Sequence, residues 1–346
     1  MKQSDFLKRG LAALTLLALV GCGSTSTTPA SVAGAASAKG PPAVRLGYFA
    51  NLTHAQALVG TSQGQFQKAL GSVPLKTTVF NAGPSVVEAF FANELDLSYI
   101  GPSPALNAFF KSKGAAVRVI SGGAANGVVI VARKESGVKT LQDLKGKKIA
   151  TPQYGNTQDV SARHFVLNEL KLTLKEAGGT TEIQNIANAE QLGLFKSGQL
   201  DVVWAPEPWG ARLVHEGGGV IIDEEKNQWP DKKFSTTLLL VSKKFLDQHP
   251  DVVEAFLKAH VEVTAWVEGN REKAAEVVNA ELQKLTGKAL KKEVLLDAFS
   301  RIEFTTDPLE SSIARFAQWS VDLKITTGKP DITGLIDLKL LEKLKK

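Results

Sequence analysis

The stretch LSYIGPSPALNAFF, residues 97–110, decides the fold class. A strand-like run enters a corner with one glycine and two prolines, and an apolar stripe at helical spacing follows. A strand that turns directly into a helix is the repeating unit of an α/β protein. The runs VRLGYF, LKTTVF, KKIATP and DVVWAP are each followed in the same way by a helical pattern. The sequence therefore predicts an α/β fold with mostly parallel sheets flanked by helices.

Two sets of these units are visible along the chain. The length of 346 residues and the 43% hydrophobic content suit about two domains with full cores. A Gly-rich run, GGAANG at residues 122–127, separates the sets. The run STTLLLVSKKFL predicts one more strand, and the C-terminal part that follows, residues 252–340, shows only helical patterns. We expect two lobes joined by a hinge of two crossing strands. The first lobe is predicted from residues 44–126 plus 235–346, and the second from residues 127–234.

The N-terminal 43 residues resemble an export signal followed by a tether. Basic residues precede an apolar run, residues 11–20, which is too short to span a bilayer but suits a signal peptide. LVGC ends at Cys22, the only cysteine, and resembles the lipobox of bacterial lipoproteins; a chance cysteine is the alternative. Residues 1–21 are predicted to be removed, and residues 22–43 to form the lipidated Cys and a flexible tether. The formal net charge would then fall from +6 to +4.

Five strand-to-helix corners carry candidate site residues: NLTHA, NAGPS, IGPSP, YGNTQD and APEPW. Ligands of open α/β sheets lie beyond the carboxyl ends of the strands, where such corners meet. Three corners belong to the first predicted lobe and two to the second, so one ligand would touch both lobes. The predicted ligand-binding residues are Asn51, His54, Gly83, Ser85, Gly101, Ser103, Asn156, Thr157, Gln158, Glu207 and Trp209.

Ser103 allows three interpretations. GPSPA resembles the G-x-S-x-G corner of serine hydrolases, but the residue after Ser103 is Pro104, which has no N–H to bind an oxyanion. Ser103 could instead cap a helix, with Pro104 at its first position. It could also help free N–H groups at a helix start to hold an anion. Capping and anion binding are compatible, and the sequence does not separate them.

Motifs for other chemistry are missing from the sequence. It contains no P-loop, no G-x-G-x-x-G and no H-E-x-x-H, so we predict no cofactor, no metal and no enzymatic activity. The positive charge is too small and scattered for nucleic acid, although it favours a small anionic ligand.

From Val44 to about Leu323 the chain resembles the periplasmic substrate-binding proteins of ABC importers for aliphatic sulfonates, which are related to taurine- and nitrate-binding proteins. The matching segments are LGYFANLTHAQAL, FNAGPSVVEAFFANELDLSYIGPSPALNAF, DLKGKKIATPQYGNTQDVSAR, LFKSGQLDVVWAPEPWGARLV and HPDVVEAFLKAHVEVTAWV. The resemblance implies a two-lobe clamshell of type II that closes on an oxyanion. It also implies an exported, lipid-anchored monomer that delivers a sulfonate to a permease driven by a cytoplasmic ATPase. Another oxyanion or zwitterion, and a sensory module, are the alternatives.

Glu207 is the residue that fits least well with a sulfonate, because its charge would repel the ligand. It could pair with Arg212, cap its helix start, or meet the amine of a zwitterion such as taurine. Trp209 could form a wall for the alkyl part of a ligand or simply pack in the core.

Overall fold

The computed structural model describes residues 43–344. The predicted signal peptide, Cys22 and most of the predicted tether lie outside the described residues. Among the helices of the described part, none combines the length and apolar character that a membrane span needs.

Six strands form the first sheet, in the order β11-β4-β10-β3-β1-β2. The pairs β1–β2 and β1–β3 are parallel, and β10 runs antiparallel to β3 and β4. Seven of the eight residues of β10 are buried, as expected for an apolar strand at the centre of a sheet. The strands are β1 Val44–Phe49, β2 Leu75–Phe80, β3 Leu97–Ile100, β4 Val117–Asn126, β10 Ser235–Ser242 and β11 Ile302–Phe304.

Five strands form the second sheet, in the order β7-β6-β8-β5-β9. Here β6 pairs in parallel with β7 and β8, and β5 runs antiparallel to β8 and β9. The strands are β5 Val128–Ala132, β6 Lys148–Thr151, β7 Glu182–Asn185, β8 Val202–Pro206 and β9 Val220–Glu224. We call each sheet with its flanking helices a lobe.

Both sheets are mixed, whereas the sequence predicted mostly parallel ones. The parallel part of each sheet contains the strand–helix units that the sequence shows clearly. Four of the antiparallel pairs involve β5 or β10, which follow the two connections between the sheets and run against the direction of their neighbours. The fifth joins β11 to β4. The sequence also missed β7, β9 and β11; β11, with three residues, interrupts the C-terminal part that was predicted as helical throughout.

Thirteen helices of the described residues surround the sheets. The first predicted helix is divided, because Gly64 has a left-handed φ of 67° between α1 and α2. The helices are α1 Ala55–Ser62, α2 Gln65–Leu70, α3 Gly83–Phe91, α4 Pro102–Lys111, α5 Thr157–His164, α6 Asn188–Lys196, α7 Trp209–His215, α8 Lys243–Gln248, α9 Pro250–Gly269, α10 Arg271–Thr286, α11 Lys292–Ser300, α12 Glu310–Asp322 and α13 Lys339–Leu344.

Two chain connections join the sheets. The first passes from β4 to β5 through Gly127, whose φ of 72° and whose close contact with Ile302 favour glycine. The second enters β10 after Phe234. The Phe234 ring stacks on Trp229 at 5.1 Å, so an aromatic cluster packs beside this connection. The connections therefore bring the carboxyl ends of β1, β3, β6 and β8 to one region between the lobes.

Candidate functional site

A small polar cavity lies between the lobes, beyond the carboxyl ends of the parallel strands. Its volume of about 20 Å³ gives room for about one water molecule. Six of the predicted residues line it: Asn51, His54, Gly101, Asn156, Thr157 and Gln158. Six others, which the sequence analysis did not select, complete it: Phe49, Thr53, Asn81, Asn188, Pro206 and Thr236. The described residues that line it include no Asp, Glu, Lys or Arg.

His54 enters the cavity as a neutral hydrogen-bond donor. Its ring is buried, and burial lowers its pKa to about 3. The backbone N–H of Phe49 donates to Nδ1 of His54 at 3.3 Å, so Nδ1 must be the unprotonated nitrogen. The proton of the neutral ring is therefore on Nε2, which can donate to a ligand.

The second lobe contributes the N-terminus of α5. Asn156 precedes the helix, and Thr157 and Gln158 form its first turn. The first N–H groups of a helix have no partner within the helix, and its dipole favours a negative charge there. The hydroxyl of Thr157 is buried and has no hydrogen-bond partner among the described residues. This end of the cavity therefore offers donors that need an acceptor.

Ser103 is buried two residues after Gly101, but it does not line the cavity and does not cap its helix. Gly101 is the residue before α4, and no side chain caps that end. The Ser103 hydroxyl has no hydrogen-bond partner within the described part of the chain. Pro102 and Pro104 have no N–H, so Ser103 carries the one free backbone donor in the first turn of α4. The helix-cap interpretation of the Ser103 side chain is wrong, and its polar group is available for another partner.

The structure places Glu207 away from the cavity. Its carboxylate is buried, accepts a hydrogen bond from Arg301 at 2.9 Å and accepts another from the backbone N–H of Ala211 at 2.9 Å. Burial raises the pKa of Glu207, and the charge of Arg301 opposes that rise. The predicted partner Arg212 instead pairs with Glu216. Glu207 therefore binds the first turn of α7 and Arg301 of the first lobe. It offers no partner to an amine in the cavity.

Trp209 and Asn51 connect the two lobes. The indole Nε1 of Trp209 donates to Oδ1 of Asn51 at 2.9 Å. The guanidinium of Arg212 lies 4.9 Å from the centre of the Trp209 ring. Trp209 therefore contacts Asn51, which lines the cavity, but Trp209 is not part of the lining.

The remaining predicted residues differ in position. Gly83 is buried, and a Cβ there would lie 2.3 Å from Pro104 and 3.1 Å from Asn156, so this glycine permits close packing across the lobes. Ser85 is exposed on α3, outside the cavity.

Some of the lining residues that the sequence did not predict lie beside recognisable strands or corners, and others do not. Phe49 ends β1, Asn81 belongs to the selected corner NAGPS, and Pro206 ends β8. Asn188 begins α6 after β7, a strand that the sequence did not reveal. Thr236 lies in β10, where one of the connections enters the first sheet.

Comparisons with known proteins agree with this architecture. The sequence profile of the NMT1-like family matches residues 37–282. A Bacillus subtilis (strain 168) protein described as an aliphatic sulfonates-binding protein is 25% identical over 352 residues, 97% of this chain and 97% of that relative. The taurine-binding periplasmic protein of Escherichia coli (strain K12) is 27% identical over 212 residues, 60% of this chain and 61% of that relative.

A solved structure shows the same fold. The alkanesulfonate-binding protein SsuA from Xanthomonas axonopodis pv. citri, bound to MOPS, superimposes with a TM-score of 0.67 at 19% identity. The match covers 86% of this chain and 98% of that protein. The two-lobe α/β fold predicted from the sequence is therefore confirmed.

Proposed function

The chain belongs to the NMT1-like family, and from that premise we propose that it captures a small aliphatic sulfonate for an ABC import system. Its relatives include binding proteins for sulfonates and taurine, which supports a role in solute binding rather than catalysis. The observation that carries the ligand assignment is the cavity between the lobes. Neutral donors from both sides, His54 Nε2 and the Thr157 hydroxyl, meet there without a charged neighbour in the lining.

A sulfonate fits this lining better than a zwitterion does. Hydrogen bonds from neutral groups to a charged oxygen are strong, and a helix N-terminus adds its dipole. The ammonium group of taurine would be favoured by a nearby negative charge, but no Asp or Glu among the described residues lines the cavity and Glu207 is bound to Arg301. Phe49 and Pro206 add apolar surface, which suits an alkyl chain and gives nitrate no comparable contact.

Ligand entry requires the lobes to separate. The cavity holds about one water molecule, and a sulfonate group is larger than that. We infer that the two connections between the sheets act as a hinge, with the first lobe at residues 44–126 plus 235–346 and the second at residues 127–234. Closure would then bring Thr157 and Gln158 over a group held by His54 and Ser103.

The geometry argues against a serine hydrolase. A nucleophilic serine needs a base within hydrogen-bond reach. The Ser103 hydroxyl has no hydrogen-bond partner among residues 43–344. Absence of ester hydrolysis by the purified protein would support this argument, and turnover that Ser103→Ala abolishes would contradict it.

Export and anchoring belong to the same proposal. LVGC at residues 19–22 supports lipidation of Cys22, and a tethered binding protein would stay close to its permease. Cys22→Ser should release the protein from the membrane fraction and abolish labelling with a fatty acid. Unchanged labelling would contradict the lipoprotein assignment.

Titration calorimetry with a panel of ligands tests the sulfonate assignment. The purified protein is titrated with ethanesulfonate, taurine, nitrate and sulfate at one pH and ionic strength. We expect ethanesulfonate to bind at least tenfold more tightly than the other three. Preference for taurine would show that an acceptor for its amine exists, and preference for nitrate would show that the alkyl contacts contribute nothing.

A further inference from the structure

A second cavity lies where α12 of the first lobe meets α5 and β8 of the second. Its volume is about 240 Å³, and it shares no lining residue with the small polar cavity. A cavity of about 150 Å³ can hold benzene, so this one has room for a small organic molecule. Three of the chain's five tryptophans line it: Trp204, Trp229 and Trp319.

Aromatic rings form much of its wall. The rings of Trp229 and Trp319 are 4.7 Å apart at an angle of 47°. His164 stacks on Trp319 at 4.0 Å, with only 14° between the ring planes. The π-electrons of indole rings attract positive charge, and several such rings around one space form the usual site for an ammonium group.

A buried carboxylate also lines this cavity. Glu225 accepts hydrogen bonds from the Ser161 hydroxyl at 2.6 Å, from Trp204 Nε1 at 2.6 Å and from Trp229 Nε1 at 3.3 Å. All three donors are uncharged, and Glu225 forms no ion pair within residues 43–344. Burial raises its pKa to about 7. A buried carboxylate is costly without a positive partner, so a cation in this cavity would stabilise its ionised form.

Glu225 lacks the cationic partner that the buried Glu207 has. Both glutamates are buried, but Glu207 has Arg301 at 2.9 Å. The positive side chain that lines the second cavity is Arg315, which is exposed and forms no ion pair in the described part of the chain. The place of a counter-ion beside Glu225 is therefore open to a ligand.

We propose that this cavity binds a small organic ammonium ion, with its positive group beside the Glu225 carboxylate and against the Trp229 and Trp319 rings. This site is separate from the proposed sulfonate site, and its test needs no sulfonate. Arg315 at the rim opposes the ligand's charge and limits its affinity.

Choline and its uncharged carbon isostere, 3,3-dimethylbutan-1-ol, distinguish charge recognition from apolar filling. Each is titrated into the wild-type protein by calorimetry, without sulfonate and at an ionic strength held with sodium chloride. We expect choline to bind at least tenfold more tightly than the isostere. Equal binding of the two, or no binding of choline, would overturn the proposal without reference to any variant.

Nuclear magnetic resonance of the five ¹⁵N-labelled indole groups locates the bound ion. Choline should shift the signals of Trp204, Trp229 and Trp319. The signals of Trp209, which contacts Asn51 of the small polar cavity, and of Trp266, on α9, should stay in place. Shifts confined to Trp209 or Trp266 would put the ion elsewhere and overturn the assignment.

Variants then test the individual contacts. Cation–π attraction of the usual size predicts that Trp319→Leu weakens choline binding roughly threefold to thirtyfold, whereas Trp266→Leu leaves it unchanged. Glu225→Gln should weaken it at least tenfold, and Arg315→Gln should strengthen it. Unchanged affinity in Glu225→Gln would contradict the proposal. Binding seen only in Arg315→Gln would mean that the Arg315 side chain occupies the place of the cation in the wild-type protein. That result would also overturn the proposal.

Discussion

Arg301 donates to the carboxylate of Glu207 at 2.9 Å, which joins the end of a strand in the second lobe to the segment before β11 in the first. The Glu207 side chain is fully buried, and that of Arg301 is 13% exposed. Arg301 also pairs with Asp297 at 2.6 Å. The two lobes thus share a buried charge pair close to their connections.

Loss of Arg301 should destabilise the protein strongly. Arg301→Met leaves Glu207 buried without a cation, and breaking such pairs costs about 3–5 kcal/mol. Urea unfolding of the wild type and the variant measures this loss. The double variant Glu207→Gln/Arg301→Met should recover most of it, because the unpaired charge is gone. A double variant as unstable as the single one would show that packing of Arg301, not charge, causes the loss.

Gly101→Ala should interfere with closure of the lobes. A Cβ on Gly101 would lie 2.3 Å from Oγ1 of Thr157 in the opposite lobe, which is closer than two non-bonded atoms can approach. We expect the variant to fold normally and to bind ethanesulfonate at least tenfold more weakly in calorimetry. Gly193→Ala on α6 is the matched control, since a Cβ there contacts nothing within 4 Å. Equal affinities of both variants would contradict the proposed closure.

Ser103→Ala separates binding from stability. The hydroxyl is buried without a partner, so its removal should leave the free energy of unfolding within about 1 kcal/mol of wild type. A hydrogen bond to a charged ligand contributes about 1.5–3 kcal/mol, so affinity should fall roughly tenfold to a hundredfold. Ser98→Ala is the opposite control, because the Ser98 hydroxyl donates to the Gly47 carbonyl at 3.0 Å. That control should lose stability and keep its affinity, and unchanged affinity in Ser103→Ala would remove this hydroxyl from the site.

Sulfonate affinity should not depend on pH near neutrality. Burial holds the pKa of His54 at about 3, so its ring is neutral from about pH 5 to about pH 8. Ethanesulfonate keeps its charge over the same interval. Calorimetry across this interval should therefore give dissociation constants within about twofold of each other. A gain of tenfold on acidification would show that a protonated His54 binds the ligand.

Glu225 should make the protein less stable as the pH rises. Its pKa is about 7 in the folded protein and 4.5 ordinarily, so between these values unfolding releases a proton. The contribution of Glu225 is complete below about pH 4.5 and is lost as the pH rises through 7, by roughly 3 kcal/mol in all. Burial also raises the pKa of Glu207, so urea unfolding should show a slope in both proteins that is clearly shallower in Glu225→Gln than in the wild type. Parallel pH profiles of the two proteins would contradict the prediction.

The sequence predicted the α/β units well because their signals are local. LSYI is a buried strand and α4 follows it at once, so periodicity and two prolines were enough to place that corner. The strands β7 and β9 are short and only partly buried, and β11 has three residues, so none of them has the long apolar run of β5 or β10. Their pairing depends on neighbours that are distant in sequence.

The cavity was predictable only in part, for a similar reason. His54 and Thr157 follow recognisable strands, whereas Asn188 follows β7, which gave no clear signal. The partner of Glu207 could not be predicted from local spacing either, because Arg301 is 94 residues further along the chain. Local spacing suggested Arg212 instead. The side chains of Ser103 and Thr157 show the converse: their positions were read from the sequence, but only the structure shows that their hydroxyls are unpartnered.

The uncharged lining of the small polar cavity has a consequence for the surroundings in which capture works. Dissolved salt weakens attraction between fixed charges, over a distance of about 8 Å at physiological ionic strength. The donors at His54 and Thr157 carry no net charge and are buried, so little of their attraction is exposed to such screening. A binding protein of this kind would hold an anion almost equally well in fresh water and in brine.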